Sequence, residues 1–181
     1  MNNLPRTFVS FSSVDKSRYD LMCAWKANEN IDFNFADFQL DEAINSQTPY
    51  YIKSVCTAKV RLTDTLVLLI GKDTYTKTVF VKAEVEAAAE KGCRMIGVNL
   101  NNCRFRDDNC PSYFASVGAL FVPFSSRILA EALRWQRQGD SAAYHFPDEA
   151  YRRLGYQLTG ATAVLPMPPS PFAGGNRPPW A

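Results

Sequence analysis

The residues whose types and spacing could support chemistry lie in "VFVKAEVEAAAEKG", residues 79–92, which carries three glutamates. On a helix of about 100° per residue, apolar side chains form one stripe, here Val81, Val85 and Ala88. Glu86 and Glu90 fall about 140° and 180° from Val81, on the solvent side. Glu84 falls only about 60° away, at the edge of the stripe. The first glutamate is therefore placed differently from the other two.

Glu84 lies near the start of this predicted helix, where a carboxylate can lean over the end of a neighbouring sheet. Partial burial in the crevice at the strand ends would raise its pKa. The alternative is an edge glutamate that forms an ion pair with Lys82 or Lys91. Geometry alone favours the ion pair and leaves both arrangements open.

The elements that must position this carboxylate alternate along the chain. Short apolar segments predict five strands, at residues 7–13, 31–38, 64–71, 94–100 and 118–123. Amphipathic segments predict helices at residues 14–30, 49–62, 79–92 and 124–139, with Ser13 and Ser125 or Ser126 near caps, Pro49 in a first turn and Gly92 as a C-cap. Residues 39–49 and 101–117 have the composition of loops. The alternation predicts an α/β doubly wound parallel sheet with helices on both faces.

Such sheets bind ligands at the carboxyl ends of their strands, near the point where the strand order reverses. The loops at 11–15, 37–48 and 71–78 are therefore the candidate ligand-binding segments. No glycine occurs before residue 71, which excludes a dinucleotide-binding G-x-G-x-x-G turn after the first strand, and no phosphate-binding P-loop motif occurs. The serines after the first strand lack the glycine of a flavodoxin phosphate loop.

Other classes are disfavoured by single residues. A receiver domain needs acidic residues where Phe11, Ser12 and Ser13 stand, and Asp73 alone is weak support for a phosphoacceptor. His145 is the only histidine, so a catalytic triad is not expected. The five cysteines form no C-x-x-C pair, which argues against a metal site and a disulfide framework.

Composition limits the partners and the location of the protein. A net charge of +2 gives no reason to expect nucleic acid or an anionic membrane surface as a partner. No apolar run reaches the roughly 20 residues that span a bilayer, and the N-terminus lacks a secretion signal. We therefore expect a cytoplasmic protein. Residues 1–139 are predicted to form the domain, and residues 140–181 a C-terminal extension with one short helix and a Pro-rich tail.

Three motifs together resemble TIR-like proteins, specifically the bacterial branch that includes the TIR-like subunit of Thoeris anti-phage defence. They are "TFVSFSSVDKS" at the first strand, "DFQLDEAI" after the second, and "LVLLIGKDTYTKTVFVKAEVEAAAEKGCRMIGVNL". The resemblance covers about residues 5–135 and implies a flavodoxin-like, five-stranded sheet of order 2-1-3-4-5. The third motif is the most specific, with an aromatic-x-x-x-Glu helix start. Its aromatic residue is usually Trp in the family and is Phe80 here.

The resemblance implies an enzyme that consumes NAD+ as a substrate and needs no other cofactor. The family's catalytic glutamate corresponds to Glu84, which would stabilise an oxocarbenium-like transition state as nicotinamide leaves. Residues 39–48 would be the loop that gates the site. The residues implied to line the nucleotide site or its gate are Phe11, Ser12, Ser13, Asp37, Leu40, Asp41 and Phe80.

The leading hypothesis is therefore an NAD+ nucleosidase or ADP-ribosyl cyclase of bacterial antiviral defence. It would release nicotinamide and make ADP-ribose or a cyclic ADP-ribose that activates a separate effector. The resemblance also implies self-association through the TIR-like domain. The alternative is a TIR-like interaction module without enzymatic activity. A flavin-binding or receiver-like flavodoxin fold is a third hypothesis.

Overall fold

The computed structural model describes residues 4–38 and 49–158, the side chains of residues 49–53 excepted. The predicted gating loop at 39–48, with Leu40 and Asp41, lies outside the described residues. So do residues 159–181, which hold the predicted Pro-rich tail.

The described residues form one parallel sheet of six strands in the order β2-β1-β3-β4-β5-β6. The strands are β1 Arg6–Ser10, β2 Ala36–Asp37, β3 Thr65–Ile70, β4 Arg94–Asn99, β5 Ala119–Pro123 and β6 Ala143–His145. The predicted α/β doubly wound parallel sheet is confirmed, including the order of the first five strands. Helices connect the other successive strands, whereas β4 and β5 are connected by a long loop at residues 100–118.

Five helices flank the sheet in the described part of the chain. They are α1 Lys16–Ala27, α2 Pro49–Val60, α3 Phe80–Lys91, α4 Ser126–Arg134 and α5 Asp148–Arg153, with 3-10 turns at Ser13–Asp15 and Thr74–Thr76. None of the helices within these residues is long and apolar enough to cross a membrane.

Strand β3 is the centre of the sheet, and its continuous apolar sequence reflects burial on both faces. All six of its residues are buried, and its neighbours are β1 and β4. Val67 and Leu69 pack in the cluster that also holds residues of α1, α4 and α5. Leu66 and Leu68 face the other way, into the cluster that holds residues of α2 and α3. The face on which a side chain of β1 or β3 lies therefore decides which helices it meets.

The first two strands are shorter than predicted. Strand β1 ends at Ser10, and Ser13 is not the helix N-cap, because it begins a 3-10 turn and α1 is capped at Asp15 without a side-chain bond. Strand β2 is only Ala36–Asp37. Phe33 and Phe35 produced the apparent period-two pattern because both are buried aromatic residues of the core.

The last predicted helix and strand also need correction. Helix α4 ends at Arg134, and Trp135 is extended. The Arg94 guanidinium donates to the carbonyls of Leu133 and Trp135, which satisfies acceptors that the ended helix leaves open. The sheet has a sixth strand, β6, which is parallel to β5 and pairs with it from Ala119 opposite Ala143 to Phe121 opposite His145. Its three residues are too few to show a strand period in the sequence.

Strand β6 and helix α5 belong to the stretch that the sequence analysis assigned to a C-terminal extension. The predicted short helix is present as α5. The predicted division of the chain at residue 139 stays a prediction about domain organisation, to which the structure adds that residues 143–145 continue the sheet.

Candidate functional site

Helix α3 places Glu84 against the sheet. The predicted stripe is confirmed, because Val81, Val85 and Ala88 are all buried. Gly92 ends the helix with a left-handed φ of 77°, a conformation that glycine adopts without steric cost. Glu84 is also buried, with 8% of its surface exposed. It therefore lies inside the packed face of α3 rather than at its edge.

Glu84 accepts hydrogen bonds from two other elements. The Ser10 hydroxyl, at the end of β1, donates to Oε2 at 2.6 Å across 74 residues of sequence. The thiol of Cys56 on α2 is its second donor. Glu84 thus lies between the last residue of a central strand and the neighbouring helix.

The lysine pairing that helical geometry favoured is wrong. Lys82 pairs instead with Glu86 at 3.6 Å, and Lys91 pairs with Asp64 at 3.6 Å. No lysine or arginine among the described side chains forms an ion pair with Glu84. The helix was correctly predicted, but the angle of about 60° from Val81 placed Glu84 at the edge of the buried stripe. It is inside the buried face because α3 buries a broader face that also includes Ala83 and Ala87.

Burial dominates the electrostatics of this carboxyl group. It raises the pKa of Glu84 to about 7, and the hydrogen bonds from Ser10 and Cys56 oppose part of the shift. Burial, together with the nearby Glu84 charge, raises the pKa of Cys56 to about 12. The same two causes raise the pKa of Tyr113 to about 12. Near neutral pH both forms of the Glu84 carboxyl are populated, while the thiol and the phenol stay protonated.

A cavity of about 470 Å³ lies between the loop after β1 and the start of α3, the helix that carries Glu84. Its lining residues are Phe11, Ser12, Ser13, Thr76, Lys77, Thr78, Val79, Phe80 and Val81. The implied site residues Phe11, Ser12, Ser13 and Phe80 thus share one cavity. Glu84 is not among the lining residues. It follows Phe80 and Val81 by about one helical turn, and Ser10 immediately precedes the loop on the opposite wall.

Asp37 lies at the edge of the sheet, outside this lining, and is linked to the cavity through Tyr19. The Tyr19 hydroxyl donates to Asp37 Oδ2 at 2.7 Å. The Tyr19 ring stacks on Phe11 at 5.0 Å between centroids. Asp37 therefore bears on the cavity by fixing the ring that supports Phe11.

Ser12 contributes to the lining of the cavity, but it is buried and its hydroxyl is engaged within the protein. Its hydroxyl donates to Asp73 Oδ2 at 3.0 Å, and Lys77 pairs with the same carboxylate oxygen at 2.8 Å. This cluster ties the loop after β1 to the loop after β3. Asp73 is accordingly a structural link between two strand-end loops, a role the sequence did not suggest.

A second cavity, of about 410 Å³, opens at the carboxyl ends of β3 and β4. Asp15, Gly71 and Asp73 contribute to its lining. The Asp15 carboxylate is packed against Gly71 so closely that a Cβ there would lie 2.2 Å from Oδ2. Desolvation and the neighbouring Asp73 charge raise the pKa of Asp15. A side chain at position 71 would therefore have to displace the Asp15 carboxylate.

The described residues contain no group of three or more His, Cys, Asp or Glu side chains suited to hold a metal ion. His145 lies in β6 and packs its ring against Phe105 at 5.0 Å. Sequence reasoning missed Ser10, Cys56 and Tyr113. The alternation of β1 could have indicated Ser10, because it lies on the same face as Phe8, which packs in the cluster of α2 and α3.

The strand order defines a doubly wound α/β fold of the flavodoxin-like class. The family model described as "Thoeris protein ThsB, TIR-like domain" matches residues 8–104, more than half of the chain, and the protein belongs to this family. The matched segment contains Ser10, Cys56, Glu84 and the whole cavity lining beside them. A comparison with curated proteins found no match.

Proposed function

We propose that the protein is an enzyme of antiviral defence that cleaves NAD+ between the ribose and nicotinamide. The observation that carries the proposal is the buried Glu84 carboxyl group, which is hydrogen-bonded to Ser10 at the carboxyl end of β1 and belongs to the helix whose first residues line a cavity of about 470 Å³. Membership of the Thoeris TIR-like family supports the setting in defence.

The chemistry needs few groups. The bond between ribose C1′ and the pyridinium nitrogen breaks with its electron pair going to nitrogen, so nicotinamide leaves as a neutral molecule. The ribose is left with oxocarbenium character, and a carboxylate nearby stabilises that positive charge. Because the leaving group needs no proton, a single carboxylate suffices, and Glu84 supplies it in its ionised form.

The second step decides the product. Attack of water on C1′, with loss of its proton to solvent, gives ADP-ribose. Attack by a nucleophilic atom of the same molecule gives a cyclic ADP-ribose. Either product is proposed to serve as a signal that activates a separate effector. A cyclic product forms only if water is kept away from C1′ until the atom of the same molecule attacks it.

The cavity supports substrate binding in two ways. Phe11, braced by Tyr19, and the partly exposed Phe80 offer aromatic faces for a planar ring. The hydroxyl of Ser13 is on the exposed part of the same wall. For ribose to reach Glu84, the first turn of α3 has to shift, since the whole residue is only 8% exposed. Self-association through the TIR-like domain is the step proposed to complete the site.

That same low exposure favours the second candidate function, a TIR-like interaction module without catalysis. In such a module Glu84 would be a structural hydrogen-bond acceptor between β1, α2 and α3. Val79 and Phe80, both exposed at the start of α3, would then serve contact with another copy of the domain.

Incubation of NAD+ with the purified protein, followed by mass spectrometry, tests the proposal. The wild type should release nicotinamide together with a linear or cyclic ADP-ribose. Glu84→Gln should lower the rate by at least about 100-fold, because removal of one group that stabilises developing charge typically costs 10²–10³-fold. The matched control is Glu86→Gln, which removes an exposed carboxylate of the same helix and should keep full activity.

Undiminished release by a folded Glu84→Gln protein would contradict the assignment. Assays at high protein concentration and in lysate of phage-infected cells cover the assembled state. If the wild type releases no nicotinamide in any of these, the interaction module is the better account.

A further inference from the structure

Glu84 is held by two donors that reach it from different elements of the fold. Ser10 is the last residue of β1 and is 1% exposed. Its backbone is held by the pairing of β1 with β3, in which Ser10 lies opposite Leu68. Its hydroxyl lies 2.6 Å from Glu84 Oε2, the short distance typical of an O–H donor on a carboxylate. Cys56 adds a thiol donor from α2.

We propose that Ser10 and Cys56 are positioning residues that orient Glu84 and hold it as a carboxylate for the reaction. Two donors on one carboxyl group fix its rotamer and stabilise its ionised form. Neither residue lines the cavity, so both act through Glu84 rather than on the substrate. The kinetic part of this proposal rests on the proposed NAD+ cleavage.

The two donors should contribute unequally. A hydroxyl is a good donor, whereas a thiol is a weak one. Ser10 is also held by the sheet, whereas Cys56 lies on helix α2. Ser10 is therefore expected to be the principal positioning residue, with Cys56 the minor one.

The other titratable neighbours of Glu84 do not substitute for these donors. From the loop between β4 and β5, Tyr113 interacts with the Glu84 charge, but its hydroxyl is used as a donor to the Lys77 carbonyl at 2.6 Å. From α2, the titratable group that interacts with Glu84 is the Cys56 thiol, which is one of the two donors. The described side chains of β1, α2, α3 and the loop bring no cation into contact with the carboxylate.

The test combines a titration with kinetics. The protein labelled with ¹³C at glutamate carboxyl carbons is titrated by NMR, with Glu84→Gln used to assign the Glu84 resonance. Ser10→Ala should raise the Glu84 pKa by about one pH unit, because a hydrogen bond to a charged group is worth roughly that much. Cys56→Ala should raise it by less, and Cys56→Ser, which restores a donor, should bring it back to the wild-type value or below.

The pH dependence of kcat distinguishes a positioning role of Ser10 from a merely structural one, which would not change it. A rise of one pH unit from about 7 lowers the ionised fraction at pH 7 about fivefold, so kcat of Ser10→Ala should fall by that factor and recover at pH 9. KM for NAD+ should stay within about twofold, because Ser10 does not line the cavity. Ser17→Ala and Cys103→Ala, a serine and a cysteine away from Glu84, are the matched controls and should leave the titration unchanged.

A folded Ser10→Ala protein whose Glu84 titrates like the wild type would overturn the proposal, as would a kcat deficit that does not recover at high pH. If Ser10→Ala does not fold, Ser10→Cys and Ser10→Thr replace it. The thiol, a weaker donor, should raise the Glu84 pKa and the threonine should not, and identical titrations of these two would equally overturn the proposal. The titration needs no turnover, so an inactive wild type would refute only the proposed function, whereas an active one with an unchanged Ser10→Ala titration would refute only this inference.

Discussion

Replacing Glu84 by glutamine should change the stability of the protein in a pH-dependent way. Burial raises the pKa of Glu84 from an ordinary 4.5 to about 7 in the folded state. Each unit of such a difference corresponds to about 1.4 kcal/mol. The ionised carboxyl group therefore costs the folded protein about 3 kcal/mol at high pH, a sizeable part of the 5–15 kcal/mol typical of a domain.

The sign follows from proton binding. Between pH 4.5 and about 7, the folded state keeps the Glu84 proton while the unfolded state has lost it. The free energy of unfolding therefore falls as pH rises through this window and levels off above it. Glutamine has nearly the same shape and does not titrate, so this part of the pH dependence should be missing in the variant.

Urea denaturation at pH 5 and pH 8.5 measures the effect. The wild type should lose about 2–3 kcal/mol relative to Glu84→Gln between the two values, a change of roughly 4–10 °C in Tm. Glu86→Gln is the control, because Glu86 is exposed and its one ion pair among the described side chains is with Lys82 at 3.6 Å. Its stability should follow the wild type within about 0.5 kcal/mol at both pH values. A difference between wild type and Glu84→Gln that is the same at pH 5 and pH 8.5 would refute the buried, perturbed carboxyl group.

Three further predictions concern the site and the core. Nicotinamide release should increase with pH with a midpoint near 7, since the ionised Glu84 is the active form; a rate independent of pH from 6 to 8.5 would contradict it. Gly71→Ala should displace the Asp15 carboxylate and cost about 1–3 kcal/mol in chemical denaturation, and the cost should shrink in an Asp15→Ala background if the two residues are coupled. Tyr151→Phe should keep or slightly raise stability, because this buried hydroxyl has no partner among the described residues, whereas Tyr151→Ala should cost about 3–5 kcal/mol.

The fold was predictable from the sequence where one local signal was strong. The continuous apolar run of β3 and the Gly92 cap of α3 determine those elements almost alone. The two-residue strand β2 and three-residue strand β6 were not predictable in this way, since their pairing depends on β1 and β5 and not on their own sequences. Phe33 and Phe35 mimicked a strand because tertiary packing, rather than strand pairing, buries them.

Of the candidate site, the sequence indicated Glu84 and, through the family resemblance, four residues that line one cavity, Phe11, Ser12, Ser13 and Phe80. Helical geometry separated Glu84 from Glu86 and Glu90, but it favoured a lysine partner that the structure does not show. The actual partners, Ser10 and Cys56, lie 74 and 28 positions away in the sequence. They meet Glu84 only because α2 and α3 pack on the face of the sheet on which the Ser10 side chain lies. The alternation of β1 indicates the face on which Ser10 lies, but no local pattern indicates which side chain it meets there, so the partners of Glu84 could not be read from the sequence.

The amount of nicotinamide released from NAD+ at pH 8.5, compared between the wild type and a folded Glu84→Gln protein, tests the central claim most directly. At this pH the wild-type carboxyl group is ionised, so the account predicts release by the wild type and a loss of at least about 100-fold in the variant. Equal release by the two proteins would contradict it.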